Sequence, residues 1–233
     1  SANSVAVVGV EGLTLSGSAI SLAVNQADAN GVVLDFADAN SVAVLTGTDS
    51  STDLDMAGAQ GELLGVSGSL AVDVMGFARL EGDVAIERAT GAVRVAGDSS
   101  NTVTDMLQIG VHDAAGFVGL NGGSADALGL SASGVDMALV LATDAQQPAR
   151  QWLAMQATMS SASFSGVDGL TMSASDVAVT INQANDVDQK VVDWAAAPLT
   201  VATGPSTSLA LTMAGASGEL LRASASVDLN VFD

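Results

Sequence analysis

The fold of this chain is decided by the stretch Ser131-Ala132-Ser133-Gly134-Val135-Asp136-Met137-Ala138-Leu139-Val140-Leu141. It opens with a Ser-x-Ser motif. From Val135 onward, every second residue carries a large apolar side chain. Successive residues of a β-strand point to opposite faces of its sheet. The stretch therefore predicts a strand with one apolar face.

The same pattern recurs along the whole chain. Further Ser-x-Ser motifs stand ahead of alternating runs, and they begin at Ser16, Ser67, Ser173 and Ser224. Alternating apolar residues start at Ile20, Leu70, Val84, Val93, Val177, Leu209 and Val227. Turn-forming residues separate these runs at Asn30-Gly31, Gly97-Asp98, Asn121-Gly122-Gly123 and Gly204-Pro205. Together these signals predict an all-β chain.

Two segments admit more than one interpretation. Gly91, within residues 87–93, suits either a hairpin turn or the corner of a solenoid coil. Residues 148–159 place Trp152, Met155 and Met159 at helical spacing, but Leu153 and Met155 also alternate as in a strand. Because strands flank the second segment, we expect a strand there.

A long internal repeat organises the chain. Gly-Val-Glu-Gly-Leu-Thr at residues 9–14 returns as Gly-Val-Asp-Gly-Leu-Thr at 166–171, an offset of 157 residues from 9 to 166. Met-Ala-Gly-Ala at 56–59 returns at the same offset. Residues 1–233 are therefore predicted to be one continuous repeat array, cut in mid-repeat. Copy one spans 9–165 and a partial copy two spans 166–233.

Repeats of alternating strands favour one architecture over another. We expect an elongated β-solenoid whose stacked coils bury rows of Val, Leu and Ala side chains. The alternative is an antiparallel β-sandwich or a meander array, which the sequence pattern does not separate from the solenoid. In either fold, neighbouring repeats are the first expected partners. Sheet ends exposed at the limits of an array also favour self-association.

Charge and composition exclude several classes of function. The chain has 26 acidic residues against six Lys and Arg, a net charge of −20. Nucleic-acid binding requires a basic surface, so we expect none. Apolar runs are too short to cross a membrane, so we expect no membrane insertion. Because the chain has no cysteine, it cannot form disulfides or thiolate metal sites.

Candidate catalytic residues are few. His112 is the only histidine and lies in a polar Gly-Val-His-Asp-Ala segment, where we expect a surface turn residue rather than a catalytic base. Asp53 and Asp55 would share one strand face, the arrangement expected for a pair of glycosidase carboxylates. Copy two has Ala210 and Thr212 at the corresponding positions, so an exposed acidic face is expected instead.

An enzyme would also need basic or aromatic groups beside its carboxylates. The basic residues are spread widely through the sequence, at Arg79, Arg88, Arg94, Arg150, Lys190 and Arg222. Trp152 and Trp194 could stack on sugars. Since Trp194 replaces Phe36 of copy one, core packing is the better interpretation. We therefore expect no catalysis, and a polysaccharide-active β-helix enzyme is the alternative.

One loop has features of a calcium site. Gly122-Gly123-Ser124-Ala125-Asp126-Ala127-Leu128 is a shortened form of the glycine- and aspartate-rich nonapeptide of RTX proteins, with one residue missing before the aspartate. Calcium prefers carboxylate and carbonyl oxygens. Asp126 is therefore the candidate metal ligand and calcium the candidate cofactor.

The stretches 116–128, which include this loop, and 166–171 resemble internal repeats of very large secreted bacterial proteins. These are RTX-type adhesins and other type I secretion substrates, with long arrays of Gly-, Asp- and Val-rich β repeats. The resemblance covers the whole chain loosely and transfers no catalytic residue. It implies a structural or adhesive module of a secreted or cell-surface bacterial protein.

Overall fold

The computed structural model of the chain describes residues 2–7, 13–122, 124, 126–185 and 188–232. Gly9–Gly12 of the repeat, and Gly123 and Ala125 of the loop resembling a calcium site, lie outside these residues. The strands in the described part are β1 (Ala2–Val7), β2 (Leu13–Asn25), β3 (Val42–Gly47), β4 (Ser50–Leu54), β5 (Leu63–Val74), β6 (Ala78–Val93), β7 (Thr102–Leu120), β8 (Leu128–Asp144), β9 (Gln151–Val167), β10 (Leu170–Asn185), β11 (Leu199–Ala202), β12 (Ser208–Leu211) and β13 (Leu220–Val231). Short 3-10 turns lie at Asp38–Asn40, Gly58–Gln60 and Gly215–Ser217.

Nine of these strands form one large sheet, in the order β1-β2-β5-β6-β7-β8-β9-β10-β13. Every neighbouring pair in it is antiparallel. Two hairpins, β3–β4 and β11–β12, stand apart from the sheet. The all-β prediction is thus confirmed, and the strands form an antiparallel sheet whose order follows the chain.

The two ambiguous segments both belong to long strands. Residues 87–93 lie inside β6, where Gly91 is paired with Thr104 of β7. The turn considered for Gly91 is therefore wrong. A Cβ atom at Gly91 would lie 2.7 Å from the methyl carbon of Met106, the flexible end of that side chain. The strand expected for 148–159 is confirmed from Gln151 onward.

A line of β-bulges crosses the sheet. Residues with positive φ interrupt four of the strands at similar heights, at Ala19 (52°), Asp113 (46°), Gly134 (59°) and Asp176 (51°). Bulges bend a strand and increase its local twist. The Ser-x-Ser motifs lie beside this line and pair across strands. The hydroxyl oxygens of Ser133 and Ser161, for example, lie 2.8 Å apart. Serine motifs thus mark the bend of the sheet.

The sheet has two different faces. One face, which we call the hairpin face, is covered in part by β11–β12 and carries most of the buried core. Its central residues are small or of moderate size, including Ala138, Val140, Ala142 and Ala154. The other face, which we call the open face, carries the alternating large apolar residues of the sequence. No described strand packs on the open face as a second layer.

The repeat in the sequence is also a repeat in the structure. The bulge between Ser18 and Ser21 in the β2–β5 pair recurs between Ser175 and Ala178 in the β10–β13 pair. Asn25 Nδ2 donates to the Leu34 carbonyl at 2.8 Å. Asn182 Nδ2 likewise donates to the Val192 carbonyl at 2.9 Å. In each copy, the two long strands are therefore joined by a similar loop, hairpin and 3-10 turn.

Candidate interaction surfaces

The hairpin of copy two, residues 199–211, is seated on the sheet, and we call it the docked hairpin. It contacts β6, β7, β8 and β9. Val201 and Leu211 are fully buried, and both belong to the core cluster with Trp152 and Trp194. Its own strands β11 and β12 follow β10, so the docked hairpin folds back over the four strands that precede β10. It thus packs across four strands at once, and we call this arrangement a clasp.

The close seating of the docked hairpin depends on one glycine. A Cβ atom at Gly110 of β7 would lie 1.9 Å from the Ala202 carbonyl oxygen and 2.6 Å from the Thr203 Cα. Real Cβ atoms do not approach backbone so closely, so only glycine fits beneath the hairpin. At the hairpin tip, a Cβ atom at Gly204 would meet the Asp83 side chain at 2.7 Å. Small residues on both partners thus allow the two backbones to touch.

An ionic cluster anchors the segment that leads into the docked hairpin. Lys190 Nζ lies 3.0 Å from Asp98 Oδ1, and Arg150 bridges Asp98 at 3.3 Å and Asp144 at 3.1 Å. The hydrogen bond from Lys190 is the main reason why the pKa of Asp98 lies below its usual value, and it raises the pKa of Lys190. Arg150 also lies over the Trp152 ring, 5.1 Å from its centroid.

The hairpin of copy one, residues 42–54, has the same pairing but a different environment, and we call it the free hairpin. Val42 pairs with Leu54 as Leu199 pairs with Leu211. Val44 is 43% exposed, whereas its equivalent Val201 is fully buried. Leu34 and Val192, whose carbonyls accept the equivalent asparagine bonds, are 68% and 0% exposed. The apolar side of the free hairpin is therefore exposed, whereas that of the docked hairpin is buried.

The open face carries continuous apolar rows that run across the strands. One row crosses eight neighbouring strands through cross-strand pairs and consists of Leu22, Val66, Ile86, Ile109, Leu139, Met155, Ile181 and Leu221. A second row beyond the bulges includes Val72, Leu80, Ala162, Ala174 and Val227. Several of these side chains are exposed. The strongest rows of the sequence therefore lie on a face that none of the described strands covers.

Charge is nearly absent from the open face. Among charged residues that alternate within the nine paired strands, only Arg88 and Asp105 fall on this side. The others share the hairpin face, among them Asp73, Arg79, Glu81, Asp83, Glu87, Asp136, Asp144, Arg222 and Asp228. The net charge of −20 is thus carried by the other surfaces.

His112 does not lie in a turn, as the sequence suggested, but within β7 beside the bulge at Asp113. Its Nδ1 is 2.7 Å from Asp136 Oδ1 on β8. The nearby Ser69 hydroxyl donates to Asp83 at 2.5 Å rather than to the imidazole. The turn prediction is wrong because Asp113 belongs to a bulge within the strand, and Gly110 lies beneath the docked hairpin. Serine, histidine and aspartate meet here as two separate pairs.

Asp53 and Asp55 lie on or just after β4 of the free hairpin. Asp53 pairs with Ala43, one step away from the Val42–Leu54 pair. It therefore lies on the side of the hairpin opposite to Val42 and Leu54. Both carboxylates belong to exposed residues, as the sequence analysis expected.

Asp126 is exposed in the turn between β7 and β8. Its backbone N–H donates to the Ser124 hydroxyl at 3.2 Å, and its carbonyl accepts from Asn121 Nδ2 at 3.4 Å. Among residues with described positions, no group of three or more His, Asp or Glu side chains is arranged to hold a metal. The calcium prediction for Asp126 therefore stays a prediction.

Both tryptophans pack in the core, as expected from the sequence. Trp152 and Trp194 are 3% and 1% exposed, so neither ring is available for stacking on a sugar. The Trp152 indole N–H donates to the Lys190 carbonyl at 2.8 Å. The basic residues do not converge on one groove: Arg79 pairs with Asp73, whereas Arg150 and Lys190 meet at Asp98.

Sequence reasoning missed the two surfaces that dominate the molecule. The alternating rows were visible, but alternation identifies an apolar face without showing what covers it. Gly110 gave no signal, because it lies inside a strand and its role depends on the distant residues Ala202 and Thr203. The segregation of charge could have been found by assigning Arg88, Asp105 and the acidic residues to strand faces.

No family model, no curated protein and no solved structure matches this chain. Within the described ranges, no helix has the length and apolar character required to traverse a bilayer.

Proposed function

We propose that this chain is a structural or adhesive repeat module, without catalysis, of a secreted or cell-surface bacterial protein of the RTX-adhesin type. One observation carries the proposal. The same hairpin occurs twice, once seated on four strands and once with its apolar side exposed. A hairpin that clasps neighbouring strands is a device for linking repeats. Neighbouring repeats of the same protein are then its partners.

The architecture suits an elongated array. Strand order in the large sheet follows chain order, so added repeats would extend the sheet along one direction. We propose a continuing antiparallel meander clasped by hairpins. The solenoid of stacked coils is not supported by the described pairs, which are antiparallel. Each repeat would contact chiefly its neighbours, as in other repeat proteins.

The negative surface fits an extracellular scaffold that responds to cations. With 26 acidic residues, self-repulsion opposes compactness, and cations reduce this repulsion. Calcium could act by screening or at Asp126. No observation on the described residues favours polysaccharide cleavage, since Asp53 and Asp55 lie on the exposed side of a hairpin without a basic partner shown beside them.

The proposal is tested by placing a copy of strands β6–β9 ahead of the free hairpin. An extended chain carries residues 2–165 fused before residue 9, which supplies a copy of β6–β9 ahead of the free hairpin. A single cysteine at Val44 should react quickly with a thiol reagent in the present chain and at least about tenfold more slowly in the extended chain. A cysteine at Leu45, on the other side of the hairpin, is the control and should react quickly in both.

Equal labelling of Val44→Cys in the two chains would contradict the clasp. Catalysis is assayed separately by incubating the chain with acidic polysaccharides. We expect no cleavage. Cleavage that is lost in an Asp53→Asn, Asp55→Asn double variant would replace the scaffold by an enzyme.

A further inference from the structure

We propose that the open face is an interface between two copies of this chain, which pack face to face as the two layers of a β-sandwich. This proposal concerns a different surface from the clasp and stands if the clasp fails. Four observations support it: the total exposed area, the continuity of the rows, the placement of charge and the size of the face.

The exposed area of the single chain is too large for a compact monomer. Proteins of 22.9 kDa typically expose about 9,600 Å². This chain exposes 13,509 Å², an excess of about 3,900 Å². The buried core lies mainly on the hairpin face, so the sheet has a core on one side only. Sheets with an apolar face are stable when a second layer covers that face.

The apolar rows suit another sheet with the same spacing. Neighbouring strands lie about 4.8 Å apart, and sheets in a sandwich pack about 10 Å apart with interdigitated side chains. The row from Leu22 to Leu221 presents one apolar side chain on each of eight strands. A second copy presents the same row at the same intervals. Side chains of one copy can therefore fill the spaces between those of the other.

The distribution of charge selects this face for contact between two acidic molecules. Two chains of charge −20 repel each other when their acidic surfaces meet. Contact through the open faces places those acidic surfaces on the outside of the pair. Within the strands, the charged residues of the open face are Arg88 and Asp105, which have opposite signs and lie on the neighbouring strands β6 and β7. At the margins of the face, Glu62 lies beside them and Glu219 lies beside Leu141. Pairing by this face therefore buries little charge.

The face is large enough for a stable dimer. Eight strands of about 12 residues give a surface of roughly 40 by 40 Å, or about 1,500 Å². A standard protein interface buries about 800 Å² on each partner. Even half of the open face would therefore suffice. A continuous apolar surface of this size also exceeds what monomers ordinarily expose.

The experiment is sedimentation equilibrium of the full chain over a concentration series. We expect twice the chain mass of 22.9 kDa. Leu22 and Leu141 are exposed on the open face, at 61% and 45%, so Leu22→Glu and Leu141→Glu should leave the fold of the single chain intact. Each should weaken dimerisation by about a hundredfold or more, because the interface then buries unpaired charge. Circular dichroism checks that both variants keep their strand content.

Leu45→Glu is the matched control, since Leu45 is 80% exposed on the free hairpin and lies off the sheet. It should leave the dimer unchanged. Because the chain has no cysteine, Leu139→Cys also supplies a unique thiol, which a bis-maleimide should join across the dimer. Leu45→Cys should give no crosslink.

Three outcomes would overturn the proposal. The first is a monomer at all concentrations. The second is self-association that Leu22→Glu and Leu45→Glu alter equally. The third is a monomer that binds vesicles of uncharged phosphatidylcholine through Leu22 and Leu141, which would make lipid the occupant of the face. None of these outcomes bears on the labelling of Val44, so the clasp is judged separately.

Discussion

The backbone N–H of Gly215 donates a hydrogen bond of 3.0 Å to the carboxylate of Asp193. Gly58 and Asp35 make the same bond at 2.8 Å in copy one. In both copies the bond ties the start of the loop to the 3-10 turn that ends it. It thereby closes the loop that carries each hairpin, and it depends on an ionised carboxylate.

The first prediction concerns the pH dependence of this bond. The bond from Gly215 is the main reason why the pKa of Asp193 lies below its usual value. The folded state then binds its proton more weakly than the unfolded state. The stabilising effect of the ionised Asp193 is present above the ordinary pKa of about 4, and it is lost as the pH falls through the lower pKa of Asp193 in the folded protein. Asp193→Asn should therefore lower the melting temperature at pH 7 and have less effect near pH 3.

Asp53→Asn is the control for this prediction, because it removes the same charge from an exposed position on the free hairpin. It should change the melting temperature little at either pH. A loss of the same size in Asp53→Asn at pH 7 would show that the loop bond is not the cause of the destabilisation.

The second prediction concerns Gly110. Gly110→Val places side-chain atoms where the Ala202 carbonyl lies, so the docked hairpin must lift from the sheet. We expect a destabilisation of about 2–3 kcal/mol, as for other overpacked sites. Tryptophan fluorescence should shift to longer wavelength as Trp152 and Trp194 meet water. Gly65→Ala is the control, because its Cβ atom would meet its nearest neighbour, Glu87, at 3.9 Å. An unchanged emission spectrum in Gly110→Val would contradict the clasp geometry.

The third prediction compares equivalent residues of the two hairpins. Val201→Asp buries an unpaired charge under the docked hairpin, which should cost at least about 4 kcal/mol. Val44→Asp places the same charge on the free hairpin and should cost less than about 0.5 kcal/mol. Urea unfolding of both variants measures the difference. Equal losses would mean that the free hairpin is also covered in the isolated chain.

The fourth prediction concerns Glu87 of β6, whose pKa is raised by burial. The folded protein favours the protonated form of Glu87. Its stability therefore falls as the pH rises from the ordinary pKa of a glutamate towards the raised pKa of Glu87. Glu87→Gln keeps the shape without the charge. It should raise the melting temperature at pH 7 and change it little near pH 4. Glu62→Gln, at an exposed position, should have no comparable effect. An equal rise of the melting temperature in that variant would show that burial of Glu87 is not the cause.

The fifth prediction separates calcium binding from screening. Millimolar calcium should raise the melting temperature, and sodium chloride of matched ionic strength should reproduce most of the increase. A specific site at Asp126 would respond to calcium alone and would be lost in Asp126→Asn. A melting temperature that neither salt changes would refute the electrostatic explanation altogether.

The sequence allowed the strands to be predicted, because alternation is a local property of runs such as Val135 to Leu141. The equivalence of the two hairpins followed from the repeat at an offset of 157 residues. Their different environments could not be predicted, because Val44 and Val201 have the same local sequence pattern. What distinguishes them is whether β6–β9 stand behind the hairpin, and this depends on contacts between residues far apart in the chain.

The faces of the sheet were only half predictable for the same reason. Leu139 and Ala138 were correctly assigned to opposite sides, yet the larger residue was expected in the core. The structure buries Ala138 completely, next to its cross-strand partner Gly110, over which the docked hairpin lies. Size and hydrophobicity were therefore poor guides to burial where two backbones nearly touch.

The docked hairpin also bears on how an array of these repeats would respond to force. In a meander, a pull along the chain opens the strands one after another from the end, and each step breaks the hydrogen bonds of a single pair. The docked hairpin crosses β6, β7, β8 and β9 together, so those four strands cannot peel away singly while it stays seated. Extension would then proceed in long steps, with each clasp releasing a folded block at once.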